Sequence, residues 1–160
     1  MDKGFYLDLA NETISLLEEK GFRGTISADQ IFARILSEVG ELINAYKKGL
    51  PKQVQEDELA DVVIYLFNIV DKAGIVGEVY PRWWPCGTRD LQRLSKRNPW
   101  KAMTIISVAV SDLEMVTNED GSINKDLIIS KDGYINYVNE ILAACENCAE
   151  VLGLDLEQGI

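Results

Sequence analysis

The sequence predicts an all-α, four-helix-bundle-like fold. Apolar residues recur with a helical period along most of the chain, the long periodic stretches stop at glycines, and two of them start at residues suited to cap a helix. A first helix is expected from Gly4 to Lys20, with Leu7, Ile14 and Leu17 on one face and Gly21 as its stop. Ser27, followed by Gln30, fits a capping box that opens a second helix. This helix runs to about Lys48, where Gly49 and Pro51 end it. A third helix runs from about Val54 to Ala73 and stops at Gly74. A Pro-, Trp- and Arg-bearing segment from Gly77 to Asn98 then interrupts the pattern, with room for one short helix near Leu91 to Arg97. Asn98-Pro99 reads as an N-cap and first helical residue. The helix it opens runs to about Val116, Asp120-Gly121 marks a turn, and Ser122 to Ser130 reads either as loop or as extended chain. A final helix from about Lys131 ends at Gly153.

At 160 residues the chain suits one domain with a substantial core. Inside it the halves, about 1–76 and about 99–155, look alike: two long helices each, the second ending in glycine and an apolar residue. The segment from Asn68 to Ile75 can be laid over that from Asn147 to Leu154. In that register Glu140 faces Asp61 and Tyr137 replaces Glu58, while Asp112 faces Glu41 and Ala109 replaces Glu38. A degenerate tandem repeat of a helical hairpin and a chance likeness are the two readings.

The net charge of −10 disfavours a nucleic-acid polymer or an anionic membrane as partner. No apolar run approaches the length of a membrane span. The start, Met1-Asp2-Lys3-Gly4, lacks a signal-peptide pattern, and three cysteines cannot all pair with one another, so a cytoplasmic location is expected. The absence of histidine excludes Ser-His-Asp triads and His-bearing zinc or di-iron sites. Acid–base work therefore falls to carboxylates, lysine, tyrosine or a metal-bound water.

Two acidic pairs stand out, Glu38 with Glu41 and Glu58 with Asp61, separated by sixteen residues. Carboxylates three apart share a helix face, and a short connector folds the two helices into a hairpin. On the second helix, Ile31, Phe32, Ile35, Leu36, Val39, Leu42, Ile43 and Tyr46 form a broad apolar stripe, with Glu38 at its edge and Glu41 just beyond. The third helix is apolar nearly all round. Its one polar strip holds Glu58, Asp61, Asn68 and Lys72, with Tyr65 between them. Such a helix should be buried, and four converging carboxylates need neutralisation or a cation. Mg²⁺ is the natural occupant of an all-oxygen site.

The residues Ser37-Glu38-Val39-Gly40-Glu41-Leu42 and Glu58-Leu59-Ala60-Asp61-Val62-Val63-Ile64-Tyr65-Leu66, with Asn68 beyond, resemble the MazG-like all-α nucleoside triphosphate pyrophosphatase superfamily. The likeness is specific over roughly residues 30 to 75. It implies that Glu38, Glu41, Glu58 and Asp61 bind Mg²⁺, which grips the phosphates of a (d)NTP, and that the products are a nucleoside monophosphate and pyrophosphate. Many members carry a glutamate directly before the first ligand, where this chain has Ser37. The catalytic proton acceptor then falls to Glu38 or Glu41, or turnover is weaker. Asn68 and Lys72 are expected to touch substrate. A homodimer is expected, because the apolar third helix needs cover from the second half or from another subunit. Relatives specific for dUTP or dCTP also join an active and a degenerate half, so such a specificity is one alternative; a non-catalytic, metal-stabilised regulatory or assembly module is another.

Between Arg82 and Lys101 lie six of the sixteen basic residues: Arg82, Arg89, Arg93, Lys96, Arg97 and Lys101. Arg97 and Lys101 are candidates to receive phosphates; the bland alternative is a solvated loop. Trp83, Trp84 and Trp100 flank this island and read more readily as packing than as base-stacking platforms. Cys145 and Cys148, three apart in a helix with only Cys86 to join them, read as buried thiols.

Overall fold

The computed structural model describes residues 3–83, 89–128 and 130–160, with the side chains of residues 89–91 excepted. The described residues fold as an all-α protein with helices α1 (Lys3–Glu19), α2 (Ala28–Lys47), α3 (Lys52–Ala73), α4 (Arg89–Ser95), α5 (Pro99–Met115), α6 (Lys131–Leu152) and α7 (Leu156–Gly159). None of these helices is long and apolar enough to cross a membrane.

The ends of the helices follow the local chemistry. Ser27 and Gln30 close a reciprocal capping box at α2, each bond 3.3 Å. The Asn98 side chain accepts the Lys101 backbone N–H at 2.8 Å, with Pro99 in the first turn of α5. Gly74 and Gly153 end α3 and α6 in the left-handed region, with φ of 72° and 69°, a conformation that a Cβ disfavours.

Two helical hairpins make the bundle. α2 pairs with α3, α5 pairs with α6, and the pairs meet through α2 on α5 and α3 on α6. Phe32, Ile35, Val39 and Leu42 of α2 face Leu59, Val63, Leu66 and Phe67 of α3, and Met103, Ile106, Val110 and Leu113 of α5 join Val138, Ile141, Leu142 and Cys145 of α6 in the same core. Truncating any one of these side chains to Ala costs about 2–5 kcal/mol. α3 is buried on most of its circumference, as its composition predicts.

Three features differ from expectation. The buried face of α1 is Tyr6, Leu9, Ala10 and Thr13, while Leu7 is 40% exposed; the spacing of 3 and 4 through Tyr6 turns Leu7 off the stripe. Residues 122–128 form no strand. They make a single antiparallel bridge, Thr117 to Ile123, around the turn at Gly121. The sequence reading also missed α7. This single turn, capped by Asp155, docks on the start of α3, where Glu56 accepts the Asp155 backbone N–H and Lys52 Nζ donates to Gly153 O at 3.2 Å.

Candidate metal centre and adjoining cleft

The acidic pairs lie where the α2–α3 hairpin brings them. One carboxylate oxygen each from Glu38, Glu58 and Asp61 lies within 4.8 Å of the others, and all three residues are half-buried. The apolar stripes of α2 and α3 seal against each other, so the carboxylates are trapped along the seam. Burial pushes all three up from the ordinary carboxylate range. For Glu58, burial leads and hydrogen bonding to Glu38 and Glu41 adds, raising it to about 8. Burial leads for Glu38 too, with repulsion from Glu41 and Asp61 adding, while its bond to Glu58 pulls the other way. A proton on Glu58 shared with Glu38 accounts for both directions. Asp61 is raised by burial, then by Asp57 and Glu41. Glu38 Oε2 is buried and has no hydrogen-bond partner.

Glu41 stands apart from this close set. It is exposed and reaches the cluster from its edge, interacting with both Glu38 and Glu58. Three half-buried oxygen donors with one orphaned oxygen among them suit a hard divalent cation such as Mg²⁺, and the donor set offers nothing to a soft metal.

Asp61 also lines a cleft of about 860 Å³ between α1, the connector after it, α2 and α3. Leu16, Leu17, Ile26, Ile31 and Ile64 supply apolar walls, and Phe22, 54% exposed, stands at the rim. The connector is held by Arg23, whose Nε and Nη2 donate to Asp71 of α3 at 3.0 and 2.9 Å and which also pairs with Glu18. Along α3 the cleft passes Asp61, Tyr65 and Asn68; along α2 it passes Arg34, Ile31 and Gln30. Asp61 and Asn68, seven residues apart, are separated by about 10 Å along the axis. Asn68 is only 6% exposed, and its side-chain amide makes no hydrogen bond among the described residues.

The other expected substrate contacts lie elsewhere. Lys72 lines a separate shallow groove with Ser27, Asn118 and Asp120, and its stem packs beneath Gly121. Lys72 stays on the face of α3 that carries Asp61 but lies three turns, about 16 Å, farther along the axis, beyond the cleft and against the turn after α5. Arg97 and Lys101 are exposed near the start of α5, outside the cleft lining. Trp83 packs against the core, and Trp100 sets its edge on Tyr46 with ring centres 5.0 Å apart; Trp84, Cys86 and the Arg89 side chain lie outside the described residues. Cys145 and Cys148 are buried free thiols, as expected.

The cations that do line the cleft are Lys20 and Arg34. The sequence signal for Arg34 is its place four residues before Glu38, hence on the same face of α2. Comparison with known proteins adds no relative: no family model, curated protein or solved structure matches the chain.

Proposed function

We propose that this protein is a Mg²⁺-dependent pyrophosphohydrolase of nucleoside triphosphates, resembling the MazG-like superfamily. The observation that carries the reading is the convergence of Glu38, Glu58 and Asp61 beside a cleft that Asp61 itself lines. Glu38, Glu58 and Asp61 would hold the ion, with Glu41 at the edge of the set. When bound, Mg²⁺ supplies charge neutralisation for the phosphoanhydride and lowers the pKa of a water.

The chain's own residues do the rest. Water adds across the α–β phosphoanhydride, giving a monophosphate and pyrophosphate. Glu41, outside the close carboxylate set and open to solvent, is the proton acceptor; Ser37, exposed in front of Glu38, has no basic group to offer. The apolar cleft walls receive the base and sugar and exclude water from them. The Asn68 amide, which offers both a donor and an acceptor, reads a base edge about 10 Å from the carboxylates.

The test is Mg²⁺-dependent release of pyrophosphate from a panel of ribo- and deoxyribonucleoside triphosphates. Monophosphate and pyrophosphate should appear in equal amounts, and Glu58→Ala and Asp61→Ala should abolish both. Absence of turnover with every nucleotide, alongside intact metal binding, would replace the enzyme with a non-catalytic, metal-stabilised module.

A further inference from the structure

We propose that Arg34 is the side chain that receives the polyphosphate of the ligand, and that it waits on Tyr65 until that anion enters. The inference rests on the nucleotide reading above and names a residue in that site which the acidic motifs do not include.

In a chain with 26 acidic and 16 basic residues, the arginine nearest the carboxylates by helical register would be expected to pair with one. Arg34 makes no ion pair among the described residues. Its contacts are a 3.3 Å bond from Nη1 to the Tyr65 hydroxyl and a guanidinium carbon 5.8 Å from the Tyr65 ring centre. Both are contacts that a stronger acceptor displaces, since a charge-assisted bond to an anion is shorter and stronger than one to a neutral phenol. Arg23, by contrast, is spent on Asp71 and Glu18.

Placement supports the assignment. Arg34 sits one turn before Glu38 on α2, and Tyr65 one turn after Asp61 on α3, so the two meet across the seam immediately beyond the carboxylates. One turn farther lies Asn68, a buried amide without a partner in the same cleft. The cleft therefore presents carboxylates, then a planar cationic fork, then an amide that offers a donor and an acceptor. A ligand with a polyphosphate at one end and a heterocycle at the other matches that order. The charge balance demands the cation: three carboxylates outweigh one Mg²⁺, so a polyphosphate arriving there needs positive charge from the protein. A guanidinium supplies it with bidentate geometry that an ammonium lacks.

The experiment uses the full chain with Mg²⁺ and measures calorimetric binding of α,β-methylene nucleoside triphosphates, with the matching monophosphates as control. Arg34→Leu should weaken the triphosphate analogues about 10- to 100-fold and change the monophosphates far less. Arg34→Lys should fall between, and Mn²⁺ binding and the melting temperature should stay at wild-type values. Wild-type affinity for the triphosphate analogue in Arg34→Leu, in a protein that hydrolyses nucleotides, would overturn the role of Arg34 and leave the function standing. Failure of the wild type itself to bind or hydrolyse any nucleotide would overturn both. Equal losses for mono- and triphosphate would show that Arg34 shapes the cleft and does not read phosphate.

Discussion

Replacing Glu58 by Gln should stabilise the metal-free protein at alkaline pH while abolishing its stabilisation by Mg²⁺. The Glu58 carboxyl is raised from an ordinary 4.5 to about 8, first by burial and then by hydrogen bonding to Glu38 and Glu41. A folded-state pKa above the unfolded one means that the native state holds the extra proton between those values. The associated stability is complete below about pH 4.5 and is lost as pH rises through about 8. Taken in full, the shift corresponds to roughly 5 kcal/mol. The carboxyl is half-buried and shares its proton with Glu38, so solvent screening reduces this to about 1–2 kcal/mol. For a chain of this size that is roughly 2–8 °C in Tm. Thermal melts with chelator at about pH 5 and about pH 9, with and without saturating Mg²⁺, measure it. The wild type should lose stability toward alkaline pH and regain it with Mg²⁺; Glu58→Gln should show a flatter pH profile and little response to Mg²⁺. Parallel pH profiles for the two proteins, or an equal Mg²⁺ response, would refute the claim that these carboxylates form one coupled site.

Further predictions follow from single contacts. Asn147 donates from a buried position to the Ser95 carbonyl at 2.9 Å, so Asn147→Ala should destabilise by about 1–3 kcal/mol in urea melts. Asn68→Ala removes no hydrogen bond and should leave stability nearly unchanged, while raising KM for the preferred nucleotide. Gly121 has φ of 89°, and a Cβ there would collide with the stem of Lys72; Gly121→Ala should cost about 1–3 kcal/mol, read by the same melts. Arg23→Ala frees the connector that carries Phe22 and Ile26 from Asp71 and should raise KM with little change in kcat, as measured by steady-state pyrophosphate release.

Much of the architecture was legible because it depends on local rules. Ser27 with Gln30, Asn98 with Pro99, and the glycines at 74 and 153 each act within a turn of themselves, and the helix boundaries follow them. The carboxylate convergence was legible for a related reason: once two amphipathic helices form a hairpin, their apolar stripes fix which polar residues line the seam. Where the extent of the cleft along a helix or a path between helices decides the outcome, the sequence was silent. Lys72 extends the strip that carries Asp61, yet eleven residues carry it about 16 Å along the axis, past the cleft and onto the loop around Gly121. Arg97 and Lys101 are close in sequence to other basic residues, yet neither lines the cleft. The cleft needs the connector at Phe22 to fold over the hairpin, and the Arg23–Asp71 contact that holds it spans 48 residues. No periodicity encodes such a contact.

The second hairpin supplies an internal control for the first. Aligned on Gly74 and Gly153, Asp61 falls on Glu140, Glu58 on Tyr137, Tyr65 on Ala144 and Asn68 on Asn147; in the matching register of α2 and α5, Glu38 falls on Ala109 and Arg34 on Ile105. In α5 and α6 the equivalents are mostly committed to packing: Ile105, Ala109 and Ala144 are buried in the core, and Asn147 binds the Ser95 carbonyl. The same backbone plan is served there by apolar residues, a satisfied amide and one acid, Glu140, which is itself buried. Nothing in hairpin packing requires Arg34, Glu38, Tyr65 or an amide without a partner at Asn68. Three converging carboxylates raised by burial are a cost that the second hairpin reduces to a single buried acid, Glu140, with Ala109 and Tyr137 in the places of Glu38 and Glu58. A fold that can close this seam with a single acid, and does so in one of its two hairpins, carries three acids and an arginine in the other. Hairpin packing alone leaves the clustering of three acids unexplained, and the cation proposed above would account for it.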